Sequence, residues 1–132
     1  MKINKLFIIL LIITSIQSCK KDEGPVIPDV QVNQVSFANN IQPIFDAYCT
    51  SCHPSSGNLD LTSANSYNQL VNVNASNYSG KRVIPNDADN SVLYKKIDGS
   101  GTYGSNMPLG GNLSQNQIDL IKQWINEGAK NN

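Results

Sequence analysis

The sequence predicts an all-α domain of three to five short helices, and three observations carry that expectation. Apolar residues recur at helical spacing in several separate stretches of the chain. A Ser/Gln capping box opens the last stretch and a glycine closes it. No segment alternates apolar and polar residues for long enough to make a strand of a sheet.

The chain opens with Lys2 and Lys5 flanking the start of an unbroken apolar run over residues 6–13. The apolar span 6–16 is shorter than the roughly 20 residues a permanent membrane helix needs, and it fits the central region of a secretory signal. Cys19 follows, then the abrupt polar run Lys20, Lys21, Asp22, Glu23. This arrangement resembles a bacterial lipobox, from which Ile16 and Gln17 depart. The resemblance implies that residues 1–18 are a lipoprotein signal peptide and that Cys19 carries the lipid anchor. It also implies export to the bacterial cell envelope, with lipid anchoring at the outer membrane and the domain facing the periplasm or the surface. The acidic residues behind Cys19 are similar to the surface-export signals of some bacterial lipoproteins. An ordinary signal peptide, or a short uncleaved anchor, is the other reading. Gly24, Pro25 and Pro28 make 19–35 a flexible tether.

The folded domain is expected over 36–130. Phe37, Ile41, Ile44, Phe45 and Tyr48 share one helical face, and Pro43 is tolerated in a first turn capped by Asn39 or Asn40, giving a helix over 40–48. Residues 54–85 read mostly as loop, with a short helix through Tyr67, Leu70 and Val71 that Ser63 would cap. Leu59 and Leu61 point one way. Asp89 or Asn90 would cap a further helix carrying Val92, Leu93 and Ile97. Glycines 99, 101, 104, 110 and 111 bracket a loop containing Met107 and Pro108. In the last helix Ser114 and Gln117 form the capping box, Ile118, Ile121 and Ile125 the stripe, Leu120 and Trp124 widen it, and Gly128 stops it.

Ten Lys and Arg balance ten Asp and Glu, so no basic field draws in nucleic acid. Without residues 1–18 the chain has 114 residues and a formal charge of −2. One histidine must serve any task that needs an imidazole. Loops this long supply few apolar contacts against a folding entropy of about 1–2 kcal/mol per residue, so a large apolar group held among them would complete the packing.

Cys49-Thr50-Ser51-Cys52-His53 supplies the means. C-x-x-C-H is the attachment sequence of c-type haem. Two thiols three residues apart at a helix end can reach both vinyl groups of one porphyrin edge. The next residue then presents its Nε2 to the iron, its other ring nitrogen held by a backbone carbonyl. The competing readings are a Cys49–Cys52 disulfide, a thioredoxin-like redox pair, which needs a βαβ setting, and a zinc site, which needs a fourth ligand.

Around this motif stand Ile41 to Phe45 (I-x-P-I-F), Gly57 to Leu61 (G-x-L-x-L), Met107-Pro108, and Ile121 to Ala129 (I-x-x-W-I-x-x-G-A). The set is similar to that of small monohaem c-type cytochrome domains of bacterial lipoproteins and larger exported proteins. The resemblance covers 95 residues. It implies a compact cytochrome c-like fold wrapped round one covalent haem c, bound through Cys49 and Cys52, with N- and C-terminal helices crossing behind it. His53 and Met107 would be the iron ligands, and Leu59 and Leu61 would line the pocket. Met107 is the single methionine left once the signal is removed and lies 54 residues beyond His53. A thioether is a soft donor that favours ferrous iron. The other reading of Met107 is an apolar lid over a five-coordinate iron. Lys95 and Lys96 are expected on a solvated face, and Tyr94 and Tyr103 are poor ligands for a carrier. Arg82, with Lys81, would either pair with a propionate or be a solvated charge. Trp124 would either reach a propionate or be a satisfied core residue.

With both axial positions filled, the expected function is electron transfer by a tethered, monomeric protein that is not an enzyme and meets redox partners transiently. The alternatives are a five-coordinate haem enzyme or gas-binding domain, peroxidase-like in chemistry, and a structural haem module of an envelope assembly.

Overall fold

In the computed structural model residues 34–132 are described, and four α-helices carry the all-α fold. The expected signal peptide, the lipid site at Cys19 and the tether as far as residue 33 lie outside the described residues. Val35 is buried and donates its amide to Glu127 Oε2 at 2.8 Å, so packing begins there. Ser36 Oγ accepts the Asn39 amide and starts a π-helical turn, Phe37–Ile41, closed by the Gln42 amide on the Phe37 carbonyl. Helix α1, Gln42–Tyr48, follows at once. The expected cap at Asn39 or Asn40 is therefore corrected to Ser36. Pro43, lacking an N–H, sits in the first turn of α1, where no intrahelical donor is lost and the preceding backbone can widen by one residue.

Phe37, Ile41, Ile44 and Phe45 are buried with Ile121, Trp124 and Ile125 in one core. The Phe37 ring meets Trp124 at 5.1 Å, Tyr67 at 5.3 Å and Phe45 edge-on at 6.2 Å, within the range of favourable aromatic pairs. Tyr48 departs from the expected face: it is exposed at the C-terminal end of α1.

Helix α2, Ser66–Leu70, has no side-chain cap, and Ser63 plays no part. The Asp60 carboxylate organises the turn before it, accepting from the Thr62 amide, the Thr62 hydroxyl and Asn65 Nδ2 at 2.7 to 2.9 Å. Residues 71–83 double back through two isolated bridges, Val71 with Val83 and Asn74 with Lys81; among the described residues there is no β-sheet. Helix α3, Val92–Ile97, begins after Ser91. Neither Asp89 nor Asn90 caps it. Asp87 instead accepts the Asn90 amide at 3.1 Å, while Asp89 pairs with Lys122 at 3.1 Å and so fastens α3's approach to the last helix. That helix, α4, spans Gln115–Asn126 with both halves of the capping box formed, and Gly128 at φ +98° takes the left-handed position past its end.

Candidate functional site

Helix α1 hands its backbone bonding directly to the cysteine motif. The amides of Cys49 and Thr50 both donate to the Phe45 carbonyl, at 2.8 and 3.0 Å, and those of Cys52 and His53 both donate to the Cys49 carbonyl, at 3.1 and 2.9 Å. The turn therefore stays helical in character, and residues at i, i+3 and i+4 fall on one side. Cys49 is half-buried and Cys52 exposed, and both are free thiols. Burial first, and the Cys52 thiol second, push Cys49 up from its ordinary 9.0 to about 11. A thiol held protonated in this way is a poor thiolate ligand or redox nucleophile.

His53 is fixed by its own loop. Its Nδ1 lies 2.8 Å from the Ser56 carbonyl. A carbonyl can only accept, so Nδ1 carries the hydrogen and Nε2 keeps a free lone pair. The His53 carbonyl in turn accepts the Leu61 amide at 2.7 Å, closing a loop that contains the short 3-10 turn Ser56–Asn58. Gly57 within that turn stands at φ +68°, a left-handed conformation that glycine adopts without cost.

A cavity of about 440 Å3 opens beside this turn. Cys49, Cys52, His53, Leu59, Leu61 and Met107 all line it, so the six residues expected to bind the cofactor meet at one place. Leu61 is buried, pinned through its carbonyl by Gln42 Nε2 at 3.0 Å, and Ser66 holds the other end of that amide at 2.6 Å. Met107 is half-buried, on a loop whose amide at that residue donates to the Lys96 carbonyl at 2.7 Å. Tyr94 and Tyr103 do not line the cavity.

Two open readings close and one expectation changes. Trp124 is a core residue whose indole N–H donates to the Lys130 carbonyl at 2.9 Å, so it has no free donor for a propionate. Arg82 is not a solvated charge. It is 8% exposed on the cavity wall, and its guanidinium donates to the carbonyls of Gln69 and Asn58 and to Ser76 Oγ, all neutral oxygens. Burial lowers its pKa, and the ion pairs among the described residues, Lys95 with Asp98 and Lys122 with Asp89, leave it out. Lys96, expected on a solvated face, is partly exposed, but it lines the cavity and its ammonium is bound to backbone carbonyls.

Sequence reasoning missed the rim. Tyr48, Tyr78 and Leu109 are 42%, 38% and 68% exposed; they are the large apolar side chains left exposed among the described residues, and all three line this cavity. Nothing in local spacing marks them, because they come together from three distant segments.

The donor set and the space fit a porphyrin. The volume lies in the range of about 300–1,000 Å3 common to cofactor sites. Cys49, Cys52, His53 and Met107 line it together with Arg82, which among the described residues has no acid partner. The competing readings of the cysteine pair fit less well. Among the described residues no three His, Cys, Asp or Glu side chains are placed to hold a metal ion, and no βαβ unit surrounds the pair.

No protein-family model matches the chain. In sequence it is similar to the hydrazine synthase subunit alpha of Kuenenia stuttgartiensis, 30% identical over 123 residues, which covers 73% of this chain and 15% of that protein. In structure it is similar to the Kuenenia stuttgartiensis hydrazine synthase, with a TM-score of 0.53 and 27% identity over 72% of this chain and 16% of the other. The chain thus spans less than a fifth of the length of the relative it matches. The expectation of a protein that is no enzyme is corrected by these findings, because the relative in both comparisons is named for a synthase. No described helix is long and apolar enough to cross a membrane.

Proposed function

We propose that this chain carries one haem c, joined through Cys49 and Cys52, with His53 and Met107 as axial ligands, and that it works as the redox domain of an enzyme system. The single observation that carries the proposal is the Nδ1 bond of His53 to the Ser56 carbonyl, which leaves Nε2 uncommitted on a residue that lines one cavity with Cys49, Cys52 and Met107. Bound there, haem supplies one-electron exchange between ferric and ferrous iron. The chain's own residues do the rest. Cys49 and Cys52 hold one porphyrin edge, Leu59 and Leu61 keep the site dry, and Arg82 offers its uncompensated charge to a propionate. The Ser56 carbonyl keeps the imidazole in one tautomer and fixes its ring plane.

Similarity to a small part of a hydrazine synthase subunit supports reading this chain as one redox part of a larger enzyme, and the exposed Tyr48, Tyr78 and Leu109 rim is the surface proposed to meet the rest of it. The proposed organisation is a signal peptide over 1–18, a tether over 19–35 lipidated at Cys19, and a monomeric cytochrome c-like domain over 36–130 at the cell envelope.

A second reading, in which chemistry occurs at an open iron, is favoured by Tyr78, Lys96 and Arg82, which bring polar groups to the same cavity as Met107. One experiment separates the two. Protein matured with the haem-attachment machinery is weighed intact and its spectrum recorded. The mass of one haem, the weak far-red absorption of sulfur-ligated ferric iron, and indifference to carbon monoxide support the first reading. High-spin iron that takes carbon monoxide supports the second. Absence of porphyrin mass overturns both.

A further inference from the structure

Lys96 stands in the last turn of α3, where the sequence pattern gives it no task. Its carbonyl accepts the Met107 amide at 2.7 Å. Its ammonium bonds the Ser105 carbonyl at 2.6 Å, the Tyr103 carbonyl at 3.1 Å and the Tyr78 hydroxyl at 3.4 Å, and lies 5.3 Å from the centre of the Tyr78 ring. An ammonium has three donors, and all three are engaged without a carboxylate, since Asp98 is taken by Lys95 at 3.3 Å. Holding a lysine in one geometry costs side-chain entropy, so the arrangement needs a return. The loop it grips is otherwise held mostly by bonds within itself. Gly101 and Gly104 stand at φ +69° and +81°; Gly104 bonds Gly101 at 3.0 Å, Gly99 bonds Asn106 Oδ1 at 3.1 Å, and Ser100 bonds Asp98 and Thr102, while Tyr103 reaches outward through its hydroxyl to the Ser79 carbonyl at 3.2 Å and its ring to Tyr78 at 4.9 Å. None of these outward ties holds residues 105–107.

We propose that Lys96 is the positioning residue for the Met107 sulfur. Main chain and side chain of one residue grip the segment 103–107 at both ends, and the ammonium's hold on two carbonyls keeps the thioether over the cavity. Without that hold the glycine-rich loop swings away and the site opens. The inference rests on the haem reading above, and the test keeps the two apart.

The test uses the full chain with haem attached, as wild type, K96M and K96R. K96M keeps the stem and the main-chain bond to Met107 but removes the ammonium. It is expected to carry the same haem mass as wild type, to lose the far-red sulfur–iron absorption, to bind carbon monoxide when reduced, and to exchange the amide hydrogens of 103–107 about 10-fold faster, as loss of charge-assisted bonds dictates. K96R restores most of the absorption. K96Q, which keeps a neutral donor, carries the same measurements if K96M does not fold. The proposal is overturned if the variants keep wild-type absorption and stay inert to carbon monoxide, or if the wild type itself holds haem yet lacks that absorption. A wild type without haem mass overturns the underlying haem reading instead.

Discussion

The Leu61 amide donates to the His53 carbonyl at 2.7 Å, so the residue proposed to meet the iron and the residue that lines its pocket are locked in one closed loop. The tight point of that loop is Gly57 at φ +68°, where an added Cβ would meet nothing within 4 Å. The constraint is therefore one of backbone conformation and not of space. Gly57→Val should cost about 1–2 kcal/mol of stability, read from a urea transition. It should also loosen the Nδ1 bond to Ser56, weaken the imidazole as a donor and raise the reduction potential. An unchanged potential in a destabilised variant would detach that bond from iron chemistry.

Arg82 makes a separable prediction. Arg82→Gln removes a buried cation and leaves the carbonyls of Gln69 and Asn58 short of a donor. Stability should fall by about 1–3 kcal/mol. A positive charge near iron favours the ferrous state, so its removal should lower the reduction potential, in the opposite sense to Gly57→Val. Voltammetry of the two variants decides whether Arg82 faces a propionate. A potential equal to wild type would reduce Arg82 to a tie between loops.

Arg82 also shows where sequence reading stops. Helical spacing marked Phe37, Ile41, Phe45, Ile121, Trp124 and Ile125 as one core, because a stripe on a helix is a local pattern that burial follows. The capping box at Ser114 is equally local. The cysteine motif, Leu59, Leu61 and Met107 were visible as residue types, and the structure brings them to one cavity. Arg82 and Lys96 were misjudged because a charge in a polar segment looks solvated until its tertiary partners are known. The caps at Asn39, Ser63 and Asp89 were misplaced for a similar reason: several side chains near each helix start were chemically able to cap, and longer-range bonds, such as that of Asp89 with Lys122, decided among them.

Trp124 tests the core against the site. Its indole N–H is spent on the Lys130 carbonyl and its ring packs on Phe37. Trp124→Ala should cost about 3–5 kcal/mol. Trp124→Phe, which keeps most of the packing and loses the hydrogen bond, should cost about 0.5–1.5 kcal/mol. Chemical denaturation measures both, and Trp124→Phe should leave the reduction potential at the wild-type value. A shifted potential would return the indole to the haem edge.

Asp60 governs the acid limit of the segment that carries Leu59 and Leu61. Bonds first from the Thr62 hydroxyl, then from the Thr62 amide and from Asn65, hold its carboxyl below its ordinary 3.8. A carboxyl with a lowered folded pKa is more readily protonated in the unfolded chain. Its stabilising contribution is therefore complete above the ordinary value and is lost as the pH falls through the lower, folded one. Stability measured from neutral pH downward should stay level on this account until near pH 4 and then decline, and Asp60→Asn should remove part of the decline. The same variant keeps an oxygen to accept the Thr62 amide, so at neutral pH its loss should be smaller than that of Asp60→Ala. Equal acid slopes for wild type and Asp60→Asn would assign the acid limit to other carboxylates, with Asp98, whose pKa is also lowered, the next to replace.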